Sequence, residues 1–72
     1  MWVETERFEV VDEQGKRFVV VAMGSMTDEH RPVPTGATMY FLLDGTNVTS
    51  LADGTFLIER PQRVAKRAHF KD

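Results

Sequence analysis

The stretch Phe8-Glu9-Val10-Val11-Asp12-Glu13-Gln14-Gly15-Lys16-Arg17-Phe18-Val19-Val20-Val21-Ala22 decides the fold class. Two runs rich in β-branched and aromatic residues flank Asp-Glu-Gln-Gly, so two strands around a tight turn are predicted. Asp12 suits the first position of a type I turn and Gly15 the left-handed one, a combination that pairs Asp12 with Lys16 through a bulge. Register follows from the turn. Val10 faces Phe18, Phe8 faces Val20 and Glu6 lies near Ala22, while Arg7, Glu9 and Val11 share the other face with Arg17, Val19 and Val21. The first face is nearly all apolar and the second is mixed, which puts the second strand nearer the centre of a sheet.

Working outward, Ser25 to Gly36 holds Pro32 and Pro34 and has neither strand nor helix periodicity, so it reads as a loop of functional interest. A third strand, Ala37 to Leu43, runs into Asp44-Gly45, a strong hairpin signal, and Thr46 to Leu51 returns beside it. Asp53-Gly54 turns the chain again into Thr55 to Glu59. The expectation is an all-β fold, a five-strand antiparallel meander curled toward a small SH3-like barrel. Its predicted core is Phe8, Val10, Phe18, Val20, Tyr40, Leu42, Leu51, Phe56 and Ile58. Pro61 lacks a backbone donor and is expected to end the sheet. Residues 1–60 then form a single β domain, and residues 61–72 a basic tail or a short helix over 62–68, with Val64 and Ala68 on one face.

Size and composition narrow the field. A chain of 72 residues with 42% hydrophobic content holds one small domain whose core must be compact, and a monomer is not assumed, since a partner subunit is one way to complete such a core. It has no cysteine, which removes disulfides and thiolate chemistry and fits a reducing, cytoplasmic setting. The acidic start, Glu4 and Glu6, is unlike a secretion signal, and the longest wholly apolar run, Phe18 to Met23, is far short of a membrane-spanning helix. No membrane partner is expected. The charge is uneven: residues 1–59 carry ten acidic and four basic side chains, whereas residues 60–72 carry five basic ones against Asp72. Such asymmetry marks Arg60, Arg63, Lys66, Arg67 and Lys71 as candidate nucleic-acid contacts, since clustered cations supply most of the affinity for phosphate backbones.

Catalytic chemistry finds little footing. His30 lies beside Asp28 and Glu29, with Ser25 near in sequence, a set that could serve as a base or cation site, but the residues read as an exposed polar loop. His30 and His69 share no metal-ligand spacing. There is no glycine-rich phosphate loop or nucleophile elbow, so no enzyme activity, cofactor, metal or small-molecule substrate is expected. Met23, Met26 and Met39 fit core gaps or an adaptable contact surface, and Met26, placed in the loop, is the contact candidate. Trp2 near the chain start either covers the sheet or joins an interface. Trp2, Met26, His30 and Arg31 are therefore the candidate protein-interaction residues.

Tyr40, Leu42, Asp44 and Gly45, followed by Asp53, Gly54, Thr55, Phe56 and Ile58, make a Tyr-x-Leu-x-Asp-Gly and an Asp-Gly-Thr-Phe-x-Ile motif. In these the chain resembles a group of small bacterial all-β proteins to which no activity is attached, and the resemblance implies a fold alone. The functional expectation is a non-enzymatic β module that binds another protein or itself through an exposed edge strand, the Ser25 to Gly36 loop and the apolar residues near Trp2. A nucleic-acid-binding regulator using the basic end is the alternative.

Overall fold

Hairpin chemistry repeats three times along the chain and sets most of the architecture. In the first turn the Asp12 N–H donates to the Lys16 carbonyl (2.9 Å) and the Gly15 N–H to the Asp12 carbonyl (3.0 Å), the type I turn with a bulge that the sequence predicts. The same pair of bonds closes Leu42 to Thr46 and Leu51 to Thr55. In both, the glycine of Asp-Gly takes the left-handed position, with φ of 91° at Gly45 and 87° at Gly54, so each Asp-Gly sits at the end of a three-residue loop.

The computed structural model describes residues 1–68. It contains β1 (Trp2–Asp12), β2 (Arg17–Met26), β3 (Pro34–Leu42), β4 (Asn47–Ser50), β5 (Phe56–Glu59) and β6 (Gln62–Arg67). Each strand pairs antiparallel with the next and β6 returns to β1, closing a small barrel. The predicted register of the first hairpin holds: Val10 pairs with Phe18, Phe8 with Val20 and Glu6 with Ala22.

Four expectations are corrected. The five-strand meander has a sixth strand, and the segment read as a tail or helix is that strand. Helix preference over residues 62–68 is a weak local bias. Against it, β5 and the end of β1 present backbone groups that only a strand between them can satisfy along both edges. Residues Phe56 to Glu59 pair on one side of β6 and Val10 to Asp12 on the other. Pro61 does not end the sheet. It lies in the two-residue connection between the paired Glu59 and Gln62, and the Arg60–Pro61 peptide is cis. The loop is shorter than predicted, because β2 continues to Met26 and β3 begins at Pro34, which pair with each other. Thr27 then donates its N–H to the Val33 carbonyl at 3.0 Å and tightens the loop from inside.

The fourth correction concerns the core, which comprises Val10, Val20, Leu42, Val48, Phe56, Ile58 and Ala65, with Phe8, Phe18 and Tyr40 packed against it. Leu51 is only half-buried at the start of a turn, and Val48 fills the interior instead. Parity explains the exchange. Val48 pairs with Tyr40 and shares its face, so Leu51, three residues on, points the other way. Asp12 is buried as well. Its Oδ1 accepts the Gln14 and Lys16 N–H groups, each at 2.9 Å, which fastens the first turn to the barrel.

The barrel is not the whole molecule. Among the described residues, pairing of β1 with β6 runs from Asp12 to Val10 and ends with the Ala68 N–H donating to the Glu9 carbonyl at 2.9 Å, and pairing of β3 with β4 covers Tyr40 and Phe41. Beyond those points the first half of β1, the second half of β2 and the first half of β3 run on as a three-stranded ribbon. The dimensions reflect it: the radius of gyration is 13.6 Å and the extents are 46 × 31 × 23 Å, against about 11 Å for a compact chain of this length.

Candidate functional site

At the barrel mouth, where the ribbon departs, three aromatic rings meet. Phe56 lies 5.2 Å from Phe8 and 5.4 Å from Tyr40, and Phe8 meets Tyr40 edge-on at 6.3 Å. Arg67 closes this mouth. Its guanidinium stacks 3.8 Å above the Phe8 ring and grips Glu6 with two bonds, Nη1 to Oε2 at 3.0 Å and Nη2 to Oε1 at 3.1 Å. Planar stacking combined with a bidentate carboxylate grip is what arginine does and lysine cannot. Arg67, expected as a free phosphate contact, is therefore occupied in holding β6 to β1.

That grip also sets an acid response. The hydrogen bonds from Arg67 hold the Glu6 carboxyl below its ordinary value of 4.5, and a hydrogen bond from Thr55 does the same for Asp53. A carboxyl depressed in the folded state contributes stability above its unfolded value, and that contribution disappears as pH falls through the folded value. Melting temperature should thus decline as pH drops below about 4.5. In Glu6→Gln the decline should be shallower, which thermal melts followed by circular dichroism at stepped pH will show.

The other predicted basic residues do not form one surface. Ala65 faces the interior, so Arg63 and Arg67 lie on its face of β6 while Lys66 lies on the opposite one, and Arg60 sits in the turn before the strand. Lys71 lies outside the described residues. The predicted protein-interaction residues are gathered more closely. Trp2 pairs with Ser25 at the far end of the ribbon and is 46% exposed. Met26 pairs there with Pro34 and exchanges backbone bonds with Met1, while His30 and Arg31 are exposed in the adjoining loop. Asp28 of the same loop is held by the N-terminal ammonium at 3.4 Å. Among the described residues no group of His, Cys, Asp or Glu is placed to hold a metal ion.

A larger feature escaped the sequence reading. Register puts Val19, Val21 and Met23 of β2 on the outside of the barrel and ribbon, beside Phe41 and Met39 of β3. Met23 and Met39, readable as core fillers, are direct partners on this outer face. Along its β1 side the face is bordered by two ion pairs, Arg7 to Glu4 at 2.8 Å and Arg17 to Glu9 at 2.6 Å. The signal was present in the sequence. Phe18 to Met23 is apolar at every position, and a strand apolar on both faces is normally covered on both.

The class these features define is a small closed antiparallel β barrel with a projecting ribbon whose outer face is apolar. No family model matches the chain, and neither the curated proteins nor the solved structures offer a match. Among the described residues no helix is long and apolar enough to cross a membrane.

Proposed function

We propose that this chain is a non-enzymatic β module that docks another protein, or a second copy of itself, through the outer face of β2 and β3. The observation that carries the reading is the two-sidedness of β2. Val20 and Ala22 are buried inside, whereas Val19, Val21 and Met23, each half-buried, form an apolar stripe on the opposite face beside the exposed Met39, over which no other strand of the described residues is laid. Contiguous apolar surface with a charged border is the usual form of a protein-binding patch, and paired methionines adapt to a partner's shape. Edge pairing receives less support than sequence alone gives it, because β1 at Thr5 and β3 between Pro34 and Thr38 each carry extra residues that break the register against β2. Nucleic-acid binding by the basic end is likewise less favoured, since Arg67 is spent on Glu6 and its neighbours diverge.

The test is a quantitative comparison of proteins captured by the full chain and by Met23→Lys, with an untagged copy of the chain present. Lysine at this position stands opposite Glu4, a cross-strand partner of opposite charge, so the fold should be retained. At least one protein, or the untagged copy, should be enriched by the wild type and lost from the variant. Equal recovery by both would remove the reading.

A further inference from the structure

Between β3 and β4 the sheet splits open. Tyr40 and Val48 are partners, and beyond them Thr38 and Ser50 would be the next hydrogen-bonded positions, yet neither has a partner across the gap. The backbone pattern shows where their groups point. The Leu42 N–H donates to Thr46 on the β4 side, and alternate residues direct their backbone groups alike, so Tyr40 and then Thr38 aim the same way. On the facing strand the Leu51 N–H donates to Thr55 toward β5, so Ser50 and Val48 aim back toward β3. Thr38 and Ser50 therefore turn unpaired main-chain groups toward each other, and both line an open cleft of about 520 Å³.

The cleft has a particular chemistry. Its apolar wall is Met39, Tyr40 and Val48, its polar wall is threonine, serine and asparagine, and Glu59 is the one charged side chain lining it. Glu59 has no ion-pair partner among the described residues. We infer that the β3–β4 cleft binds an extended segment of another protein, which adds as a strand between Thr38 and Ser50 and places a lysine or arginine against Glu59. Main-chain bonds on both sides supply affinity and the single carboxylate supplies selectivity. The cleft shares Met39 with the outer face, but its main-chain groups lie on the β4 side of β3, so strand addition at Thr38 and Ser50 does not rest on the docking reading.

The experiment is fluorescence anisotropy on the full chain with a labelled pool of heptapeptides, lysine fixed at the centre and β-forming residues varied on either side. A second pool has glutamate at the centre, and a third carries N-methyl groups on alternate backbone nitrogens. The lysine pool should bind, and binding should weaken at least about tenfold in the glutamate pool, in the methylated pool and in Glu59→Gln. Amide resonances of Thr38 and Ser50 should shift on adding the lysine pool. The inference is overturned if that pool fails to bind at millimolar concentration or if methylation leaves affinity intact. It is equally overturned if the shifts fall on Val21 and Met23, which would assign the peptides to the outer face.

Discussion

Ending the chain at Glu59 should abolish the cooperative fold. If residues 60–72 were a tail, this truncation would leave a stable barrel. In the architecture described here it removes β6, and with it the ladder to Phe56–Glu59, the ladder to Val10–Asp12, the buried Ala65 and the Arg67 clamp on Glu6. Two strands then gain open edges and the aromatic mouth loses its cover. A domain this small has only about 5 kcal/mol of stability or little more to lose. The expected result is a chain without a cooperative thermal transition and with collapsed amide dispersion. A truncated chain that melts within a few degrees of the full one would show that β6 is dispensable.

The second large effect comes from the centre of the barrel. Ile58 is fully buried, and its replacement by alanine should cost about 2–5 kcal/mol from lost transfer energy and the cavity left behind. For a domain of this length that lowers the melting temperature by at least about 8 °C. Comparison of two neighbouring positions makes the prediction sharper. Val48→Ala should cost more than Leu51→Ala even though leucine is the larger side chain, because Val48 is 6% exposed and Leu51 stands at the rim. Denaturant titration of the three variants measures the order. If Leu51→Ala costs more than Val48→Ala, the register of β4 is wrong.

What could be read in advance, and what could not, divides along physical lines. The first hairpin was legible to the residue, because Asp12 and Gly15 have side-chain and backbone requirements that one turn type meets. Asp44-Gly45 and Asp53-Gly54 marked their turns for the same reason. Gln62 to Arg67 was not legible. Only Ala65 among its residues is buried, so no apolar alternation announces a strand, and its structure is imposed by the two edges it joins. Arg67 illustrates the consequence for function: clustered with other cations in sequence, it looks like a phosphate ligand, and only barrel closure brings it onto Glu6 and Phe8.

The outer face shows the reverse case. Its residues were all visible, but an apolar run in a strand does not say which of its faces lacks cover. Register within the first hairpin groups Val19 and Val21 with charged neighbours, because on the β1 side Val21 faces Arg7 and Val19 faces Glu9. Addition of β3 on the far side supplies Phe41 and Met39 and turns a mixed face into an apolar stripe with an ion-paired border. Pairings between strands distant in sequence therefore decide the candidate docking surface, just as they decide the β3–β4 cleft.

The claim that the outer face docks a protein is tested most directly by placing a photo-cross-linking amino acid at position 23, on that face, or at position 62, on β6, and illuminating intact cells that express the full chain. The account predicts a discrete adduct from position 23, heavier than the 8.2 kDa chain, that position 62 does not give. No adduct from position 23, or the same adducts from both positions, would contradict it.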